Sequence, residues 1–116
     1  MNLSGTWELG RSVGGFSMGG SPNYLPGNGD IIVFNGKNFQ KFYSGKLHAE
    51  GTFNINRVKI SNKKDEFTIV YFTDNRMFNG VFTLNKNTLI FYPPDNVADA
   101  PVNTYVRISG INNQKF

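Results

Sequence analysis

Gly15-Phe16-Ser17-Met18-Gly19 spells Gly-x-Ser-x-Gly, the spacing of a nucleophile elbow. That chemistry needs the serine on a sharp strand-to-helix turn, then an acid, then a histidine, all carried by a large parallel sheet. Here Ser21-Pro22-Asn23-Tyr24-Leu25-Pro26 follows, which cannot be that helix. The segment reads better as a flexible glycine-rich lid. His48 is the single histidine, between Leu47 and Ala49 on an expected strand. One imidazole cannot build a His-rich metal site, and its expected place is the exposed face of the strand, with a weak pairing to Glu50 at most. The carboxylates show no motif spacing. Asp65-Glu66 is a poor glycosidase pair, because neighbours on a strand point to opposite faces. There is no phosphate-binding loop and no dinucleotide fingerprint. With no cysteine there are no disulfides, thiolate ligands or thiol nucleophiles. The expectation is a protein with no catalytic residue, no metal and no cofactor.

The 12 basic and 8 acidic side chains give a net charge of +4. The basic residues are spread over expected turns and strand ends, where they serve solubility and protect edges. A nucleic-acid site would gather them on one face among stacking aromatics, so no nucleic-acid partner is expected. No stretch is long and apolar enough to span a bilayer as a helix. The strand pattern begins at Leu3 with no signal peptide before it. The expectation is a mature exported domain, periplasmic or from a lipid-anchored precursor, with a cytosolic chain as the alternative.

The elements that would position a site are strands. The 116 residues fit one domain, 1–116, large enough for a core without metal or disulfide help. Leu3-x-Gly5-x-Trp7-x-Leu9 alternates with period two and predicts the first strand. Residues 10–29 then hold seven of the 13 glycines together with Pro22 and Pro26, a long loop of the kind that is functional or disordered. Residues 30–34 and 38–43 predict a hairpin around Asn35-Gly36, whose type I′ turn needs positive φ at both central residues. Ser44-Gly45 turns into a long strand over 47–58, in which Gly51 marks a bend or a close crossing. Strands follow at 67–71, at 77–84 with a bulge at Asn79-Gly80, at 88–92 and at 103–109. About eight short strands in sequential hairpins predict an all-β, antiparallel, up-and-down barrel. A barrel of that size is either filled by side chains or holds one small ligand.

Leu3-Ser4-Gly5-Thr6-Trp7 on the first strand, the long loop after it, and Tyr105-Val106-Arg107 on the last carry a resemblance. The chain resembles the lipocalin-like part of the calycin superfamily, and within it the small bacterial domains often found as exported proteins. Tyr71-Phe72-Thr73-Asp74-Asn75 is similar to that family's Thr-Asp-Tyr loop, with Asn75 in place of the tyrosine. The resemblance implies that Gly5, Trp7 and Arg107 close one end of the barrel and that the first loop overhangs the other. The chain is shorter than a typical lipocalin and lacks the C-terminal helix pattern, which argues against a large cavity. The opening also resembles avidin-type barrels. Those line their biotin site with several tryptophans, and Trp7 is alone here, so biotin is not expected.

The aromatic residues either fill the barrel or line a pocket with a few polar groups. The candidate ligand residues are Phe16, Met18, Tyr24 and Leu25 under the glycine-rich lid, and Phe42, Phe53, Tyr71 and Phe82 on the strands. Lys41 or Arg76 near the mouth would hold a carboxylate. In Ile31-Ile32-Val33-Phe34 both faces look apolar, and alternation does not tell inside from outside. The expected function is non-catalytic binding of a small apolar or amphipathic ligand inside a lidded barrel. The alternative is an exported protein-interaction module with a filled core and no ligand.

Overall fold

The computed structural model describes residues 3–14, 23–60, 62–73, 76–92 and 101–109, with the backbone alone at 57, 76–79 and 109. They form eight strands: β1 (Gly5–Val13), β2 (Ile31–Asn35), β3 (Asn38–Tyr43), β4 (Lys46–Ile60), β5 (Asp65–Thr73), β6 (Arg76–Asn85), β7 (Thr88–Tyr92) and β8 (Val102–Ser109). Each pairs antiparallel with the next, and β8 returns to β1, closing an up-and-down barrel. No helix among the described residues is long and apolar enough to cross a membrane.

Turn chemistry sets the register. Ser44 and Gly45, both at positive φ, sit between the paired Tyr43 and Lys46, as a type I′ turn requires. The β2–β3 hairpin lies one residue away from the expected turn. Asn35 pairs with Asn38, so Gly36 and Lys37 are the central residues, and only Gly36 has positive φ. That geometry suits a type II′ turn, which takes glycine first. The register resolves the ambiguity in β2: Ile32 and Phe34 are buried, while Ile31 and Val33 are only half-buried.

Gly51 marks a close crossing. A β-carbon there would lie 2.0 Å from the Phe72 carbonyl oxygen, because β4 folds tightly over the end of β5. Asn79-Gly80 is not a bulge, since Val70↔Asn79 and Ile69↔Gly80 continue a regular ladder. The observed irregularities fall elsewhere, at Thr6/Trp7 and Leu9/Arg11 in β1 against β8, at Lys41/Phe42 in β3 against β4, and at Asn56/Lys59 in β4 against β5.

Where β2 has not yet begun, the return leg of the long loop takes its place beside β1. Arg11 bridges Asn23, Tyr24 N–H donates to the Gly10 carbonyl at 3.0 Å, and Leu9 N–H donates to Asp30 O at 2.9 Å. Glu8 is buried under this leg, and both its carboxylate oxygens accept from Gly27 N–H at 3.0 Å. Asn28 ties the same leg to the Leu9 carbonyl at 2.9 Å.

One end of the barrel is packed solid. Gly5 opens β1 at φ 133, where an L side chain would be strained. Trp7 is fully buried, pairs with Arg107 across β1 and β8, and donates from Nε1 to Leu3 O at 2.9 Å. The Arg107 guanidinium lies 4.4 Å from the indole centroid and donates to the Ser4 carbonyl. Desolvation there lowers the Arg107 pKa from its ordinary value. Phe34 meets Phe53 edge-on at 4.9 Å, and Phe67 stacks on Phe82 at 6.0 Å. Leu84 and Leu89 complete the layer. A guanidinium over an indole contributes about 0.5–2 kcal/mol. Arg107→Ala should therefore lower the melting temperature by several degrees. Gly51→Ala should cost more, because it collides with backbone; calorimetry on the two variants checks the order.

Candidate functional site

Toward the other end, interior positions become small or polar: Ala49, Gly51, Thr73, Gly80 and Asn103. Side chains no longer fill the barrel there, and a cavity of about 620 Å³ remains. That volume lies within the range of small-molecule pockets, about 300–1,000 Å³. Residues 15–22, 74–75 and 93–100 lie outside the described residues.

The deeper wall is apolar. Ile32, Phe39, Tyr71, Phe82 and Phe91 line it. Phe39 meets Tyr71 edge-on at 4.8 Å, Tyr71 meets Phe82 at 6.5 Å, and Phe82 meets Phe91 at 5.1 Å. Gly80 makes room for the last pair: a β-carbon there would lie 2.7 Å from Phe82 Cε1 and 2.8 Å from Phe91 Cε1.

The rim is mixed. Lys41, Tyr43, Leu47, His48 and Asn103 line it, and Tyr43, Leu47 and His48 are exposed. The Tyr43 ring takes the His48 imidazole edge-on at 4.7 Å and Lys41 Nζ at 5.3 Å. Thr73 Oγ1 donates to the Glu50 carbonyl at 2.8 Å, and Ser12 Oγ donates to Asn103 Oδ1 at 2.6 Å. Three of the five tyrosines, Tyr43, Tyr71 and Tyr105, line the cavity. Burial, and then the nearby Tyr105 phenol, raise the Tyr71 pKa well above the ordinary tyrosine value. Burial raises that of Tyr105 as well, reinforced by Tyr43, Asp30 and Tyr24 against a lowering hydrogen bond with Asn103. Both phenols therefore stay protonated and can donate a hydrogen bond. No group of three His, Asp or Glu side chains converges on a metal position among the described residues.

Of the candidate ligand residues, Tyr71 and Phe82 line the cavity. Phe53 instead packs on Phe34 in the closed layer, because its register position against Tyr71 is filled by rings. Phe42 is half-buried and does not line the cavity; on β3 it lies out of phase with Phe39, Lys41 and Tyr43, which do. Tyr24 and Leu25 are exposed beside β1, where an isolated bridge and backbone hydrogen bonds hold the loop leg, and neither lines the cavity. Phe16 and Met18 lie outside the described residues, as do the Ser17 motif and the Arg76 side chain. Lys41 is at the rim.

Phe39, Tyr43, Phe91 and Tyr105, which also line the cavity, belong to the aromatic set expected either to fill the barrel or to line a pocket but not to the candidate ligand residues, and Asn103 carried no sequence signal. Phe39-x-Lys41-x-Tyr43 forms one interior row because Phe39 and Lys41 pair with the buried Phe34 and Ile32, and the sequence does not tell which face of β2 points inward. His48 is exposed, as expected, yet it borders the cavity. Pairing jumps from Lys41↔Ala49 to Phe42↔Leu47, so His48 is the extra residue of a bulge, and four successive residues of β4, Leu47, His48, Ala49 and Glu50, border the cavity.

Comparison with protein-family models, curated proteins and solved structures finds no match to this chain.

Two outcomes are expected. An unfolded tyrosine ionises near pH 10 while Tyr71 and Tyr105 in the fold do not. The stability they contribute is full below about pH 10 and is lost as pH rises further, by about 1.4 kcal/mol per unit for each tyrosine. Their phenolate absorbance should then appear only with alkaline unfolding, which absorbance and circular dichroism followed together will show. Gly80→Val should displace the Phe82 and Phe91 rings and cost about 1–3 kcal/mol in urea unfolding.

Proposed function

We propose that this chain is a non-catalytic binding protein that takes one small apolar or amphipathic molecule into the open end of its barrel. The observation that carries the reading is the cavity of about 620 Å³, with an aromatic wall below and a polar rim above. Pockets of this composition bury the apolar part of a ligand and orient it with a few polar groups. The reading includes membership of the calycin superfamily as a lipocalin-like domain. Its support is the eight-strand closed order, the long first loop, and Arg107 across Trp7. It also includes an exported location, for which the support is the resemblance alone.

The test is titration with the neutral fluorophore N-phenyl-1-naphthylamine. Saturable one-to-one binding, displaced by long-chain alcohols or acids, is expected. Ala49 lies on the interior row of β4, so Ala49→Trp should occupy the cavity and weaken the probe by roughly tenfold or more, about 1.4 kcal/mol. No saturable binding to the folded protein would turn the reading to a protein-interaction module.

A further inference from the structure

We propose that the ligand carries an anionic head group and that Lys41 of β3 receives it at the cavity rim. This rests on the binding reading above and names the chemical class of the ligand.

Lys41 sits on the interior row of β3 between Phe39 and Tyr43, is half-buried and lines the cavity. No ion pair joins it to a carboxylate among the described residues. Its recorded contact is the face of the Tyr43 ring, 5.3 Å from Nζ. A ring quadrupole attracts an ammonium but does not neutralise it. A half-desolvated cation beside an apolar wall gains from a counter-charge, and the cavity is where one would arrive.

The acidic groups nearby are committed or set apart. Glu50 of β4 also borders the cavity, but its carboxylate accepts from Gln40 Nε2 at 3.3 Å, and Gln40 alternates with Phe39 and Lys41 onto the outer face of β3. Asp30 bonds through its backbone to Leu9 of β1 and influences Tyr105, so it stands on the β1 side of the mouth. An anionic head is thereby steered toward β3 and β4, away from Asp30. There His48 borders the same Tyr43 ring and offers an imidazole N–H. The tail would lie along Phe82 and Phe91. The ligand class is a single-tailed amphiphile with a carboxylate or sulfate head.

The experiment compares three twelve-carbon molecules as displacers of N-phenyl-1-naphthylamine, below their micelle concentrations: dodecanoate, dodecanol and dodecyltrimethylammonium. Dodecanoate should displace the probe at roughly tenfold lower concentration than dodecanol, the gain from one charge-assisted contact, with the cation weakest. Lys41→Met should bring the dodecanoate-to-dodecanol ratio near one, and Lys41→Arg should keep the preference. If Lys41→Met does not fold, Lys41→Gln replaces it, and the ratio in the parent protein is already decisive. Equal displacement by dodecanoate and dodecanol in the parent, or a preference that survives loss of the lysine, overturns the head-group assignment and leaves the binding reading standing. A probe that does not bind the folded protein at all overturns both.

Discussion

Eight strands closed on themselves enclose a fixed width, and what fills that width at each level decides the rest of this structure. At one end the interior carries Trp7, Phe34, Phe53, Phe67, Leu84 and Leu89, all buried. At the other it carries Ala49, Gly51, Thr73, Gly80 and Asn103. The strands cannot narrow to follow the smaller side chains, because their hydrogen-bond ladders set the spacing. The difference in volume stays open as the cavity. The taper holds only while the barrel stays closed, and the pairing of β1 with β8 closes it, with Arg107 laid across Trp7 near the packed end.

The same constraint orders polarity along the barrel axis. The packed end has Arg107 as its charged group, held by an indole face and a backbone carbonyl. Between the ends, the rings of Phe39, Tyr71, Phe82 and Phe91 touch in sequence and make a stiff apolar wall. Above them come the phenol hydroxyls, Asn103, His48 and Lys41. The opening is braced by backbone as much as by side chains. Gly29 O accepts from Gly45 N–H at 3.1 Å, which ties the loop leg to the β3–β4 turn. A side chain at Gly29 would collide with that turn, 2.6 Å from Gly45 N. Gly27 N–H on Glu8 anchors the same leg from outside the wall. One side of the mouth is thus a fixed frame.

The architecture was legible because it follows from local signals. Period-two runs at Trp7 and at Phe67, Ile69 and Tyr71, with a glycine-bearing turn at Ser44-Gly45, are enough to count strands and join them in order. The interior was less legible because facing is a phase, and a phase error of one residue exchanges the two sides of a strand. In Ile31-Ile32-Val33-Phe34 both faces are apolar, and β3 inherits that ambiguity, so the sequence does not separate Phe42 from Phe39 and Tyr43; the burial of Ile32 and Phe34 does. The bulge at His48 has no sequence signal, because it arises from the fit between β3 and β4. Gly80 looked like a bulge because glycine in a strand has two physical causes, and here the cause is space for two rings. The meeting of Tyr43, Tyr71 and Tyr105 around one cavity depends on barrel closure, which no local pattern encodes.

The central claim is that the taper leaves a space a ligand can enter. It is tested most directly by backbone amide chemical shifts recorded while the neutral probe is added. Shifts concentrated at Ile32, Phe39, Ala49, Tyr71, Phe82 and Phe91, with the Trp7 and Phe34 layer undisturbed, are the predicted result. Shifts confined to outward-facing positions such as Val106 and Ile108, or no saturable shifts at all, would contradict it.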